Sequence, residues 1–193
     1  MRKIAVEGIN GAGKSPTIEK IVRDLRDADL ATESFAPFHL VRSKLDIPDI
    51  HPLWQANPEL AVKLLHDTID EVEKEADQKN LDVLVYDRHW MTVLAQQHQV
   101  PDITELWGDR LVPSVLLTSP LAHSLRLTER GYSAPWLQVD TLEFYTKEYD
   151  RLYFENSHLM IGHFVVESAD QDLQPIANNI VEQIINSKGV MDE

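Results

Sequence analysis

Residues 8–15 read Gly8-Ile9-Asn10-Gly11-Ala12-Gly13-Lys14-Ser15, and they follow the apolar run Ile4-Ala5-Val6. This is G-x-x-x-x-G-K-[ST] at every fixed position, between a strand pattern and a helix pattern. Few local sequences constrain a fold more. Successive backbone N–H groups from Asn10 through Gly11, Ala12 and Gly13 to Lys14 can converge on phosphate oxygens, and glycine lets the chain approach them. The helix that opens at Lys14 adds its positive end. Lys14 reaches the outer phosphates of a nucleotide, the Ser15 hydroxyl is a Mg²⁺ ligand, and Thr17 offers a second hydroxyl. A nucleotide and Mg²⁺ are the expected ligands.

The rest of the chain reads as strands alternating with helices. Buried strands are expected at Lys3–Gly8, Leu30–Ala36, Leu81–Tyr86, Val115–Thr118 and His163–Glu167. Helices are expected at 14–27, from the Asn57-Pro58-Glu59 start to about Lys79, at Trp90–Gln97, 120–130 and Asp140–Phe154, and along the closing Leu173–Ile185 stripe. Residues 38–57 read as a short helix and an irregular loop. Short apolar strands between helices mean an α/β fold with a parallel sheet covered on both faces. The 193 residues fit a single domain.

Charge narrows the partners. With 18 basic and 32 acidic residues the net charge is −14, which disfavours a nucleic-acid polymer. An anionic substrate must be small and held by a local group of arginines. There is no cysteine, hence no disulfide, thiolate metal site or cysteine nucleophile. The histidines have no ligand spacing, so zinc is not expected. No signal-peptide pattern or membrane-length apolar run is seen, and a cytoplasmic protein without membrane contact is the expectation.

Four blocks in order carry a resemblance to thymidylate kinases and the related deoxynucleoside kinases. Val6-Glu7-Gly8 through Ser15 resembles the family's F-E-G-x-D-G-x-G-K-[ST]. Asp87-Arg88-His89, with Leu94-Ala95 and Gln97 downstream, resembles D-R-[YH]-x-x-[ST]-x-x-A-[YF]-Q. Arg126 to Gly131 followed by the Tyr145/Tyr149 helix resembles the family's lid, here about residues 126–140. Glu167-Ser168-Ala169-Asp170 resembles the loop that wraps adenine.

The resemblance implies a P-loop kinase fold with a five-stranded parallel sheet and a lid. It implies ATP- and Mg²⁺-dependent phosphoryl transfer to a nucleoside monophosphate, a pyrimidine such as dTMP or a related nucleotide, and often a homodimer. Lys14, Asp87, Arg88, Arg126 and Arg130 would be catalytic. Asn10 to Ser15, Thr17, Ala169 and Asp170 would bind ATP. Phe38, Arg42, His66, Arg88, Thr92 and Gln97 would bind the acceptor. Ser15, Asp87 and Glu7 would face the metal. Glu7 keeps two readings, contact with the Mg²⁺ water shell or anchorage of a loop.

Three departures bear on function. Asn10 replaces the family's acidic residue, Pro16 follows Ser15 where the family has Thr, and the acceptor arginines are missing from Phe35-Ala36-Pro37-Phe38 and from residues 64–70. Arg42 is the candidate replacement cation, and Phe38 or His66 the replacement stack. Two alternatives follow: a deoxynucleoside kinase, and a nucleotide-binding regulatory protein with a decayed site.

Overall fold

The computed structural model describes residues 1–96, 105, 107, 108, 110–121, 138–168 and 170–186. Strands are β1 (Arg2–Glu7), β2 (Thr32–Phe35), β3 (Val83–Asp87), β4 (Ser114–Thr118) and β5 (Met160–Val165). Helices are α1 (Lys14–Asp27), α2 (Pro37–Leu45), α3 (His51–Ala56), α4 (Pro58–Gln78), α5 (Trp90–Gln96), α6 (Val139–Glu155) and α7 (Gln174–Asn186). The strands form one five-stranded sheet in the order β2-β3-β1-β4-β5. Every pairing is parallel.

The inner strands are apolar on both faces. Ala5, Val6, Val83 to Tyr86 and Val115 to Leu117 are all fully buried. Such runs, without alternation, are the signature of a sheet covered on both sides. Helix α1 packs on α7, while α2 and α3 pack on α4 and α5 on α6. Right-handed crossovers place the first pair and the other helices on opposite faces of the sheet. The α4 start is as its sequence dictates: Asn57 Oδ1 accepts the Leu60 N–H at 3.0 Å, and Pro58 opens the helix.

Several bounds shift by a residue or two, β2 and β3 each starting two residues later than expected, and two differences are larger. The last strand begins at Met160 rather than His163, because Ser114 and Val115 of β4 pair with Met160 and Gly162. Residues 38–57 hold α2 and a second short helix, α3, which buries Trp54 against Phe38 with ring centres 6.4 Å apart. The helix expected at 120–130 and most of the lid lie outside the described residues.

Strand order places the site. β1 is central, with β3 on one side and β4 on the other, so the chain leaves β1 at a switch point where a crevice opens. Val6 is in register with Asp87. The loop after β1 and the turn after β3 therefore share one edge of the sheet. Gly8 is obligatory here: its φ is 136°, and a Cβ would lie 2.0 Å from the Leu117 carbonyl oxygen of β4.

Candidate functional site

The loop after β1 turns through left-handed glycines, Gly11 (φ 85°) and Gly13 (φ 79°), and delivers Lys14 and Ser15 to the start of α1. Lys14 is buried and its Nζ donates to the Ile9 carbonyl at 2.9 Å. Burial chiefly, then the nearby Arg88 charge, pulls its pKa down to about 7, against Asp87 and Glu7, which push it up. Ser15 Oγ donates to Asp87 Oδ2 at 3.3 Å. A hydroxyl and a carboxylate side by side are hard oxygen donors of the kind Mg²⁺ takes. No cluster of three or more His, Cys, Asp or Glu that could cage a metal exists among the described residues. That fits an ion that keeps waters and takes its other ligands from phosphate.

Arg88 follows Asp87 at the end of β3. Its Nη1 donates to the Gly8 carbonyl at 2.9 Å and its Nη2 to Asn10 Oδ1, so the guanidinium is braced against the phosphate loop. Asn10, which stands where the family pattern has an acid, thus holds this arginine without a charge.

One cleft joins these groups. Lys14, Ser15, Asp87 and Arg88 line it. Phe38, His39 and Arg42 of α2, Asp49 of the loop that follows and His51 of α3 also line it, with Gln96, Leu142 and Tyr145. Arg42 Nε and Gln96 Oε1 are buried atoms with no hydrogen-bond partner among the described residues. Asp49 Oδ1 accepts the His51 backbone N–H at 3.1 Å. The His51 imidazole is held below its ordinary pKa by burial and by the Arg88 charge, against the pull of Asp49.

The structure thus brings together Asn10, Lys14, Ser15, Phe38, Arg42, Asp87 and Arg88 from the sequence-derived set. Asp170 is exposed, on a loop that passes the phosphate loop: a Cβ on Gly13 would lie 3.5 Å from Val166 and 3.7 Å from Leu173. Gln97, Arg126, Arg130 and Ala169 lie outside the described residues.

Three placements correct the sequence reading, and a fourth decides between the two roles open to Glu7. Thr17 is fully buried and its hydroxyl bonds to the Gly13 carbonyl at 2.8 Å, inside its own helix, so it does not face the loop. Glu7 is fully buried and spends both oxygens on protein donors: the N–H groups of His89 (2.7 Å) and Met91 (3.1 Å) and the Thr92 hydroxyl (2.6 Å). It anchors the turn after β3 instead of facing a metal. Thr92 lines the cleft, but its hydroxyl is engaged by Glu7 and by Tyr149 at 2.7 Å, which leaves it unfit to read an acceptor. His66 stacks edge-on to Trp107, 4.8 Å between centres, and is absent from the cleft lining, so it is no acceptor stack.

His39, Asp49, His51 and Gln96 are cleft residues that sequence reading passed over. Gln96 was findable, since it adjoins the glutamine that the motif selected. Asp49 and His51 carried no motif; only the packing of α3 on α4 brings them to the cleft.

No protein-family model and no curated protein matches this chain. Solved structures do match. The chain is similar to the shikimate kinase from Acinetobacter baumannii in complex with shikimate, with a TM-score of 0.59, 17% identity, and 97% of this chain and 95% of that chain covered. It is also similar to the shikimate kinase from Bacteroides thetaiotaomicron, with a TM-score of 0.57, 15% identity, and coverage of 96% and 97%. At such identities the likeness is one of fold. The fold is that of P-loop kinases, a five-stranded parallel α/β sheet, as the sequence implies. These neighbours do not support the thymidylate branch of the resemblance. Among the described residues no helix is long and apolar enough to cross a membrane.

Proposed function

We propose that this chain transfers the γ-phosphoryl group of ATP to a small anionic acceptor, and that the acceptor is a pyrimidine (deoxy)nucleoside monophosphate or a related nucleotide. One observation carries the reading. The cleft that holds the phosphate-loop Lys14 and the Ser15–Asp87 oxygen pair is also lined by a cation and an amide, Arg42 and Gln96. A guanidinium and an amide beside a phosphate site suit a ligand with an anionic end and a hydrogen-bonding edge.

In this reading the loop N–H groups and Lys14 hold the donor phosphates, and Ser15 and Asp87 hold Mg²⁺. The ion would neutralise charge on the donor phosphates. Arg88, braced on Gly8 and Asn10, meets the charge that builds on the travelling phosphoryl. An acceptor oxygen forms the new P–O bond while the bond to the β-phosphate oxygen breaks, releasing ADP. A phosphate acceptor is already nucleophilic and needs no strong base. Phe38 and Tyr145 offer apolar surface for a base ring.

A second reading rests on Asp49. A carboxylate lining the cleft suits a hydroxyl acceptor, a free nucleoside or a hydroxy acid, whose proton it could take.

The test is ADP release from ATP and Mg²⁺ across nucleoside monophosphates, free nucleosides and small hydroxy acids. Turnover with a pyrimidine monophosphate is the expected result. Turnover only with hydroxyl acceptors would transfer the assignment to the second reading. ATP binding without any turnover would refute phosphoryl transfer and leave a nucleotide-binding protein.

A further inference from the structure

Arg88 has a φ of 71°, in the left-handed region that a long side chain rarely occupies. Glu7 is what holds the turn there. It captures the N–H groups of His89 and Met91 on Oε1 and the Thr92 hydroxyl on Oε2. The network then continues. Thr92 Oγ1 lies 2.7 Å from the Tyr149 hydroxyl, and Arg88 Nη1 donates to that hydroxyl at 3.3 Å. Tyr149 belongs to α6 and is 3% exposed.

Hydrogen accounting gives the network one direction. Each hydroxyl has a single proton, and a guanidinium only donates. Were the Glu7 carboxyl the donor, Thr92 would have to donate to Tyr149, which already accepts from Arg88. The Tyr149 proton would then have no acceptor among these groups. Every proton is matched only if Arg88 donates to Tyr149, Tyr149 to Thr92, and Thr92 to an ionised Glu7. A buried carboxylate and a half-buried cation are thus joined through two oriented hydroxyls, and Arg88 Nη1 also lies 3.5 Å from Thr92 Oγ1 itself. Such a pair is rigid while complete and costly once broken.

We propose that Tyr149 is a positioning residue for Arg88: through Thr92 it ties the guanidinium to the buried Glu7 carboxylate and sets where Arg88 presents its charge in the phosphate cleft. The hydrogen-bond chain itself is independent of the function proposed above; its effect on rate rests on that reading. Helix α6 supplies Leu142 and Tyr145 to the same cleft, so its seating and the aim of Arg88 are set together.

The variants are Tyr149→Phe, Thr92→Val, Thr92→Ser and the Tyr149→Phe/Thr92→Val double, in the full chain. The first readout is NMR of protein labelled with ¹⁵N-arginine. One slowly exchanging guanidinium signal, assigned by its absence from Arg88→Lys, should disappear in Tyr149→Phe and Thr92→Val and persist in Thr92→Ser. The second readout is steady-state kinetics with the acceptor identified above. Tyr149→Phe and Thr92→Val should each lower kcat by about tenfold with KM for ATP nearly unchanged, and the double should be no worse than either single, as for groups acting as a unit. A tether that merely docks α6 on α5 predicts something else: lowered Tm, additive losses and an undisturbed Arg88 signal. That result would overturn the proposal. The expected NMR pattern in a protein that phosphorylates no acceptor would refute the kinase reading and leave the positioning role standing. If Tyr149→Phe does not fold, the Thr92→Val and Thr92→Ser pair decides.

Discussion

Lys14 has little water around it and Arg88 for a neighbour, and both favour its neutral form. Its pKa in the folded protein is about 7, against an ordinary 10.5. Between these values the free protein holds Lys14 largely neutral, while the unfolded chain holds it charged. The unfolded state then binds more protons, so this residue adds stability as pH rises through that window. Phosphate reverses the balance, because a polyanion beside the amine favours the ammonium. ATP binding should therefore draw a proton from solution. Calorimetry of Mg·ATP binding at about pH 8, in buffers of different ionisation enthalpy, should show uptake of nearly one proton, falling toward zero near pH 6. Lys14→Arg, whose guanidinium stays charged, should bind with no uptake at either pH. Binding by the native protein without proton uptake at the higher pH would mean that Lys14 does not meet the phosphates.

In the proposed function the element that meets the phosphoryl donor is the first turn of α1, and it is one N–H short. A helix start offers free N–H groups to an anion. Here Pro16 has none, and the Thr17 N–H is already given to the Gly13 carbonyl at 3.1 Å. Lys14 and Ser15 are left. Replacing Pro16 with Thr restores a donor, and one hydrogen bond of about 1 kcal/mol corresponds to several-fold tighter ATP binding. Titration of the variant with a non-hydrolysable ATP analogue checks this, and an unchanged Kd would mean that the N–H at this position does not reach the nucleotide. Elements like α1 are also where the sequence was most readable. Glycine spacing names the loop because only glycine fits beside Leu117, and the apolar runs name the inner strands because both their faces are covered. The rest of the cleft was less readable. Phe38 and Arg42 were reached from the resemblance, but Asp49 and His51 come to the cleft only by tertiary packing of α3 on α4. Glu7 and Thr92 were found as polar residues near the site, yet their roles depend on which partner each oxygen meets, and no linear pattern encodes that. His66 was misread for the same reason: its partner Trp107 is distant in sequence.

At the scale of the whole molecule, acid acts in two opposing ways. The net charge is −14, so mild acidification relieves self-repulsion in the compact state and should stabilise it. His89 pulls the other way. It is 1% exposed, packed between Tyr86 at 4.6 Å and Trp107 at 5.2 Å, and neither ring nitrogen has a hydrogen-bond partner among the described residues. Burial chiefly, with the charges of Lys3, His66 and Arg110, drives its pKa down to about 3 from 6.5. Between those values the unfolded chain binds a proton that the native protein refuses, so the stability tied to this residue falls as pH falls from about 6.5 toward 3. From pH 7 to 5 the loss is on the order of 2 kcal/mol. His89→Phe keeps an aromatic ring in the cage, removes two unsatisfied nitrogens and cannot titrate, so it should be the more stable protein at pH 7 and more so at pH 5. Comparing the two proteins cancels the net-charge term, which they share. Urea unfolding of both at the two pH values measures the difference directly. The stability gap should widen by about 2 kcal/mol on acidification. A gap that stays constant would show that His89 takes up its proton inside the folded protein, and that the cage around it opens more readily than its packing indicates.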